Sequence, residues 1–173
     1  MKTQMPNELI IFYSRADENY SSGILKNLEV GNTEVAAEII KNLTGAETFK
    51  IEQASPYSKD YNKCIAEAQA DQRANARPKL KTHPENIDDY NVIYLGYPNY
   101  WGTMPMAVFT FLEKFDFGGK VIKPFCTHEG SGLGRSVDDI KKLCPKATVE
   151  KGLAIFGSSV NRAENDIKKW IKE

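Results

Sequence analysis

The sequence predicts an α/β fold in which a parallel β-sheet carries helices on both faces. Two short runs, residues 9–13 and 92–97, are almost wholly apolar, as expected for strands that are buried on both faces. Such strands alternate along the chain with segments whose apolar residues have helical spacing. This alternation is typical of a parallel sheet, because the connection between parallel strands usually contains a helix. No internal repeat or linker interrupts it, so we expect residues 1–173 to form a single domain.

The first half of the chain shows the alternation after the strand at residues 9–13. Residues 33–43 have the apolar spacing of a helix, and Gly45 follows as a stop signal. Residues 47–52 alternate apolar and polar side chains, which predicts a strand. Residues 60–76 are polar and rich in alanine, which indicates an exposed helix.

The second half continues in the same way. Strands are predicted at residues 92–97, 120–127 and 152–156, and helices at residues 104–115, at residues 137–143 and after a cap at Asn161. Pro105 is tolerated in the first turn of its helix. Pro124 is unusual, because proline is seldom found inside a sheet.

Composition and charge exclude several classes of protein. Hydrophobic residues make up 41% of the chain and charged residues 27%, enough for a sizeable core and a polar surface. The 23 basic and 23 acidic side chains give a formal net charge of zero, which argues against a general binder of nucleic acid or anionic membranes. The early apolar run at residues 9–13 is far too short for a membrane span or a signal peptide, so we expect a cytoplasmic protein.

The cysteines and histidines predict neither a disulfide scaffold nor a metal site. Cys64, Cys126 and Cys144 are odd in number and show no CxxC spacing, and the two histidines lie in no ligand cluster. No GxSxG motif of a serine hydrolase occurs. Cys126 lies too far from Arg135 for the phosphate cradle of a tyrosine phosphatase, and we expect it to be a buried strand residue.

Ligands of open parallel sheets bind beyond the carboxyl ends of the strands. Ser14 and Arg15 follow the first predicted strand, and Gly31, Asn32 and Thr33 open the first helix. Free N–H groups at a helix N-terminus, together with side-chain donors, favour an anion such as a phosphate. The alternative is that these residues only end the strand and cap the helix.

The loop after the strand at residues 92–97 contains Pro98, Asn99, Tyr100, Trp101 and Gly102. Exposed aromatic side chains at the end of a strand can supply a flat apolar wall for a planar ligand. Alternatively, the Trp side chain folds back and covers the end of the sheet.

The loop after the strand at residues 120–127 is rich in glycine. It contains Thr127, His128, Glu129, Gly130, Ser131 and Gly132. Glycines at alternate positions let backbone N–H groups approach a ligand, although the spacing is not that of the GxGxxG dinucleotide motif. His128 either contacts the ligand or stabilises the loop. An anion site, an aromatic wall and a glycine-rich loop together suit a planar ring that carries a phosphate tail.

These residues resemble the flavodoxin family over nearly the whole chain. The family's phosphate loop has the form Ser/Thr-x-Thr-Gly-Asn-Thr, and Ser14-Arg15 and Gly31-Asn32-Thr33 match its two ends. The motifs GYPxxWGTMP at residues 96–105 and PFCTHEGSGxGRS at residues 124–136 resemble the two ring-binding loops of a bacterial flavodoxin-like branch. The resemblance implies a flavodoxin-like three-layer sandwich with a five-stranded parallel sheet in the order 2-1-3-4-5.

The same resemblance implies FMN as the cofactor. It would be bound by Ser14, Arg15, Asn32, Thr33, Pro98, Asn99, Tyr100, Trp101, Gly102, Thr127, His128, Glu129, Gly130, Ser131 and Gly132. Tyr100 or Trp101 would lie against the flavin ring, and Gly102 would provide a flexible peptide near the flavin N5.

The chain departs from the family pattern in one place. Residues 16–30 stand where the family has a single residue, so the phosphate loop is split and Val30 takes the place of its central Thr, unless the insertion rebuilds that position. An insertion of this length need not destroy the site, because loop-closure entropy grows slowly with length. Arg15 either pairs with the phosphate or is a plain surface charge. The insertion either covers the cofactor or forms a surface for a partner.

The resemblance implies an FMN-binding redox protein, most simply an electron carrier that exchanges electrons with redox proteins or a small-molecule acceptor. No residue is recognisable as a general acid, base or nucleophile. The alternative is an FMN-dependent NAD(P)H oxidoreductase that acts on quinones or similar acceptors, since carriers of this family are commonly acidic and this chain is neutral. A signalling receiver domain is disfavoured, because Ser14-Arg15 and Tyr97-Pro98 stand where it needs acidic residues.

Overall fold

The computed structural model describes residues 7–173. Its strands are β1 (Glu8–Tyr13), β2 (Asp17–Ser21), β3 (Ile24–Leu28), β4 (Glu47–Ile51), β5 (Val92–Pro98), β6 (Val121–His128), β7 (Thr148–Val149) and β8 (Leu153–Phe156). Its α-helices are α1 (Asn32–Thr44), α2 (Tyr61–Arg73), α3 (Met106–Lys114), α4 (Ser136–Leu143) and α5 (Glu164–Ile171), and a 3₁₀ helix spans Gly157–Arg162. None of these helices is long and apolar enough to cross a membrane.

The central sheet is parallel and confirms the predicted α/β class. Its strands run in the order β4-β1-β5-β6, and β7 and β8 both pair with the outer edge of β6. The positions therefore follow the predicted 2-1-3-4-5 order, but the last position holds two short strands, so the sheet has six strands rather than five.

The split of the last strand explains Pro124. The carbonyls of Lys120 and Ile122 accept hydrogen bonds from the β7 side of the sheet. Alternate residues of a parallel strand face the same neighbour, so the nitrogen of Pro124 faces this side too. Because β7 ends at Val149 and β8 begins at Leu153, that nitrogen meets a gap in which no ladder hydrogen bond is needed.

Two apolar cores lie on opposite faces of the sheet. Ile10 and Phe12 pack with α1 and α5 in one core. Leu9, Ile11 and Tyr13 pack with α3 and α4 in the other. The alternation follows from the two-residue period of a strand, and it accounts for the wholly apolar sequence of β1.

The insertion at residues 16–30 forms an antiparallel hairpin, β2–β3, outside the central sheet. Its two-residue turn consists of Ser22 and Gly23, whose φ angles are 50° and 86°. Positive φ at both central residues is the signature of a type I′ turn, which matches the twist of the flanking strands.

The structure confirms one predicted helix end and contradicts another. Gly45 ends α1 with φ of 74°, and its N–H donates to the carbonyl of Lys41, as the stop signal predicts. The prediction that Asn161 caps the last helix is wrong, because this residue lies inside the 3₁₀ helix. Helical bonding of α5 starts where the N–H of Ile167 donates to the carbonyl of Ala163.

Candidate functional site

A cavity of about 470 Å³ opens at the carboxyl edge of the sheet. Its size is within the usual range of sites for small ligands. The predicted site residues that line it are Arg15, Asn32, Thr33, Pro98, Asn99, Tyr100, Trp101, Gly102, Thr127, His128, Glu129, Gly130 and Ser131. Ser14 and Gly132 do not line it, although both hydrogen-bond to neighbours of the lining.

One end of the cavity is the N-terminus of α1. Gly31 is the N-cap and makes no side-chain hydrogen bond, so the alternative that Asn32 or Thr33 caps this helix is wrong. The hydroxyl of Ser14 instead accepts from the N–H of Glu34 at 3.0 Å. Within residues 7–173 the N–H groups of Asn32 and Thr33 meet no acceptor. This end therefore offers two free backbone donors in the positive field of a helix N-terminus.

A pair of hydroxyls joins this end to the sheet. The Oγ1 atoms of Thr33 and Thr127 lie 2.7 Å apart, and both residues are buried. Two hydroxyls can share only one hydrogen in a single bond, so the other hydrogen remains able to donate into the cavity. Val30 does not line the cavity and is 47% exposed, so it supplies nothing to this end.

Arg15 is held by backbone carbonyls rather than left as a surface charge. Its guanidinium donates to the carbonyls of Glu18 at 3.1 Å, Ser58 at 2.9 Å and Lys59 at 2.9 Å. The alternative that Arg15 is only a plain surface charge is therefore wrong. These bonds occupy part of its donor capacity and tie the hairpin to the segment before α2.

The aromatic loop forms a tight turn. Backbone hydrogen bonds join Tyr100 and Thr103 in both directions, at 2.7 and 3.3 Å. Trp101 and Gly102 between them have φ of 54° and 88°, again the type I′ combination. A positive φ at a tryptophan is strained, and such strain is concentrated at functional sites.

Trp101 does not fold back over the end of the sheet. Its side chain is 44% exposed, and its indole N–H donates to the carbonyl of Ile65 in α2 at 2.9 Å. The alternative that the Trp101 side chain covers the end of the sheet is therefore wrong. Its indole is part of the cavity wall next to α2.

Tyr100 contributes a ring edge and an unpartnered hydroxyl. Its ring meets that of Tyr13 edge to face, with centroids 5.8 Å apart. Its hydroxyl is buried and finds no hydrogen-bond partner in the described part of the chain. Burial raises the pKa of Tyr100 well above its usual 10, so the group stays a neutral phenol that can donate.

Gly102 is hydrogen-bonded on both sides. Its N–H donates to Oδ1 of Asn99 at 2.9 Å, and its carbonyl accepts from the N–H of Arg135 at 2.8 Å. Nδ2 of Asn99 also donates to the carbonyl of Gly132 at 2.9 Å, which ties the two loops together. A flip of the Gly102 peptide, expected from the resemblance, therefore has to break at least one of these bonds.

His128 stabilises the glycine-rich loop. Its Nδ1 accepts from the N–H of Gly130 at 2.8 Å, and its ring packs on Phe156 with centroids 4.5 Å apart. An accepting Nδ1 leaves the hydrogen of the neutral ring on Nε2. Burial lowers the pKa of His128 below 6.5, although the charge of Glu129 opposes that shift. Since His128 also lines the cavity, it can contact a ligand as well.

Glu129 has a buried polar atom without a partner as well. Its Oε1 atom is buried and has no hydrogen-bond partner among residues 7–173. It lies against Gly157, where an added Cβ would come within 3.0 Å of it. A buried carboxylate oxygen without a donor suits a ligand that carries hydroxyl groups.

Part of the cavity wall was missed by the sequence analysis. The hairpin contributes Asn19 and Tyr20, and α2 contributes Tyr61, Cys64, Ile65 and Ala68. The spacing of these four α2 residues is that of one helix face, which could have identified them. The hairpin residues carry no such signal, because their place depends on how the insertion folds.

Cys126 is not placed to react with a ligand, and the described chain contains no metal cluster. Cys126 is fully buried in β6, as expected for a strand residue, and does not line the cavity. Among residues 7–173 no three side chains of His, Cys, Asp or Glu could jointly hold a metal ion. The cysteine that does line the cavity is Cys64.

Comparisons with known proteins agree with this geometry. A family model described as flavodoxin matches residues 27–173. No curated protein matches the chain. Three solved structures share the fold. A protein of Bacteroides eggerthii described as a candidate flavoprotein is 26% identical with a TM-score of 0.72, over 94% of this chain and 98% of that chain.

The other two are less similar in sequence. A protein of Bacteroides uniformis, also described as a candidate flavoprotein, is 22% identical with a TM-score of 0.76, over 98% of this chain and 100% of that chain. A flavoprotein of Lactobacillus acidophilus, solved in complex with FMN, is 18% identical with a TM-score of 0.64, over 91% and 98% of the two chains. At these identities the last two likenesses concern the fold alone.

Proposed function

The chain belongs to the flavodoxin family, and from this premise we propose that it is an FMN-binding redox protein that carries electrons. The observation that carries the proposal is a single cavity that joins a helix N-terminus to an aromatic loop and a glycine-rich loop. This combination suits a flat ring with a phosphate tail.

The phosphate fits the N-terminus of α1. The free N–H groups of Asn32 and Thr33 would donate to its oxygens, and the helix dipole favours its negative charge. The hydroxyl of Ser14 lies outside the cavity lining and supports this end indirectly, because it orients the first turn of α1 by accepting from the N–H of Glu34.

The ring and its polar groups fit the two loops. Trp101 and the edge of Tyr100 would form an apolar wall against the flavin. The unpartnered Tyr100 hydroxyl and the unpartnered Glu129 oxygen would find partners among the polar groups of the cofactor. Of these two atoms the Glu129 oxygen is the stronger support for a polar ligand, because Tyr13 and Cys64 already lie beside the Tyr100 hydroxyl.

Bound FMN supplies the ability to accept and release electrons, and the protein supplies binding, orientation and electrostatics. The apolar wall would disfavour negative charge on a bound ring and would so lower its reduction potential. The bonds between Asn99, Gly102 and Gly132 would keep the two ring loops in a fixed relative position.

The carrier role is supported by the lack of an evident catalytic group. Burial raises the pKa of Cys64, which lines the cavity, so its thiol stays protonated and weakly nucleophilic. We expect the FMN-loaded protein to oxidise NADH or NADPH with a quinone hardly at all unless a reductase is added. Turnover at about 1 s⁻¹ or faster by the protein alone would contradict the carrier role.

One observation favours a second candidate. An acidic surface steers electron carriers toward basic reductases. This chain has a net charge of zero instead. The second candidate is an FMN-dependent NAD(P)H oxidoreductase that reduces quinones or similar acceptors. The same turnover measurement separates the two roles, because only the oxidoreductase consumes NAD(P)H without a partner.

A further inference from the structure

We propose that Tyr20, on the inserted hairpin, is a cofactor-contacting residue that extends the aromatic wall of the FMN site. This inference rests on the proposed function, because it assigns a new residue to the same site. Tyr20 lies in β2, ahead of residue 27, where the match to the family model begins. The match to the family model therefore does not include Tyr20.

Tyr20 reaches the cavity as part of an aromatic pair. Its ring stacks on that of Tyr61, with centroids 6.3 Å apart and planes 27° apart, and both residues line the cavity. The Tyr20 residue is still 44% exposed. Such a ring, supported on one side and open on the other, has apolar area that a flat ligand can bury.

The pair continues the wall that Trp101 begins. The indole of Trp101 donates to the carbonyl of Ile65, one turn of α2 beyond Tyr61. The aromatic surface therefore runs from Trp101 along the cavity face of α2 to Tyr61 and Tyr20. Without Tyr61 and Tyr20, the aromatic loop alone would leave this side of a bound flavin ring exposed to solvent.

Hydrogen bonds hold the hairpin in place over α2. Oε1 of Glu18 accepts from the N–H of Tyr61, the first residue of α2, at 2.8 Å. Arg15 bonds to the carbonyls of Glu18, Ser58 and Lys59. Nδ2 of Asn19 donates to the carbonyl of Arg15 at 3.0 Å. Because both strand β2 and the start of α2 are tied down, Tyr20 is positioned before any ligand binds.

The experiment compares FMN with riboflavin, which has the same ring and lacks the phosphate. Dissociation constants are measured by quenching of flavin fluorescence for the full chain and for Tyr20→Ala, Tyr20→Phe and Ile24→Ala. Ile24 is the matched control, because it lies on the same hairpin, is 65% exposed and does not line the cavity.

We expect Tyr20→Ala to weaken FMN and riboflavin by the same factor, about threefold to tenfold, because the lost contact is to the ring. Tyr20→Phe keeps the ring and should retain the affinity of the unchanged protein, and Ile24→Ala should do the same.

Three results would overturn the inference. In the first, the unchanged protein binds FMN and Tyr20→Ala binds both ligands equally well, so the proposed function survives without this contact. In the second, Ile24→Ala loses as much affinity as Tyr20→Ala, so the hairpin acts through its folding. In the third, the unchanged protein binds neither ligand, and the proposed function fails together with the inference.

Discussion

The three cysteine thiols are buried, and burial keeps them unreactive. Burial raises the pKa of Cys126 to about 12 and that of Cys144 to about 11. Burial also raises the pKa of Cys64, against the opposing charge of Arg15. All three thiols therefore stay protonated at pH 8, and the thiolate is the reactive form.

We predict that a thiol reagent at pH 8 labels none of the three cysteines in the folded protein and all three after unfolding. Rapid labelling of Cys64 in the folded protein would contradict this account of its environment.

The imidazole of His128 favours its neutral form in the folded protein. Burial lowers its pKa below 6.5, and its Nδ1 accepts from Gly130, a bond that protonation of Nδ1 would break. The stability from this neutral state is fully present above pH 6.5 and is lost as pH falls through the lower folded pKa.

For His128 we predict an NMR titration midpoint below 6.5 in the folded chain. The resonance is assigned by its absence from His128→Gln. A midpoint at or above 6.5 would contradict the prediction, because the charge of Glu129 would then outweigh the effect of burial on the pKa.

Gly31 is required by close packing rather than by its backbone angles. An added Cβ would lie 2.2 Å from the Ser14 hydroxyl oxygen and 2.5 Å from the Arg15 carbonyl oxygen. We predict that Gly31→Ala lowers the free energy of unfolding by about 1–3 kcal/mol and also weakens FMN binding. Gly45→Ala is the control: it strains a residue at φ 74° in open space, so it lowers stability and leaves FMN affinity unchanged. Chemical denaturation and FMN titration measure both quantities. An unchanged FMN affinity in Gly31→Ala would mean that the start of α1 does not bind the cofactor.

At the scale of single residues, the sequence predicts which side chains line the cavity better than it predicts their hydrogen-bond partners. Thr127 and His128 are site residues that the resemblance implies, and both line the cavity. The partners of Arg15 could not be predicted, because Ser58 and Lys59 are more than 40 residues away in the chain. Such contacts depend on the packed structure and leave no local pattern.

At the scale of elements, the first turn of α1 receives its side-chain hydrogen bond from the segment that follows β1. Gly31 has no side chain to accept from the first N–H groups, and the Ser14 hydroxyl after β1 accepts from Glu34 instead. We predict that Ser14→Ala lowers the free energy of unfolding by about 1 kcal/mol, the usual effect of losing a helix cap.

Ser14→Ala should also weaken FMN more than riboflavin, because the Ser14 hydroxyl orients the first turn of α1, which would hold the phosphate. Ser55→Ala, an exposed serine away from the cavity, should change neither stability nor affinity. Denaturation curves and the two ligand titrations supply the test. Unchanged stability in Ser14→Ala would mean that water replaces the hydroxyl as acceptor at no cost.

The elements that the sequence predicts well are those in which apolar residues recur with a clear periodicity. Strands β1 and β5 and helix α1 were found because burial on one or both faces dictates their residues. The hairpin was not found, since its first strand is polar and packs on α2 rather than in the sheet. The split of the last strand was not found either, although Pro124 marks the place where it occurs.

At the scale of the whole molecule, Tyr20 and Trp101 are the large exposed apolar side chains of the described chain that line the cavity. In the described part of the chain the full set of large exposed apolar side chains is Tyr20, Ile24, Leu25, Val30, Trp101 and Phe156. They lie on the hairpin, before α1, or in the loops at the carboxyl edge of the sheet. Binding a flat ring in the cavity would therefore bury part of the exposed Tyr20 and Trp101 side chains.

The central claim is that the cavity binds FMN with its phosphate at the N-terminus of α1. Titration of the purified protein with FMN and with riboflavin, followed by flavin fluorescence, tests it most directly. We predict that one FMN binds per chain and at least about tenfold more tightly than riboflavin, because each hydrogen bond to a charged phosphate oxygen contributes about 1.5–3 kcal/mol. Equal affinities for the two ligands, or no binding of FMN, would contradict the claim.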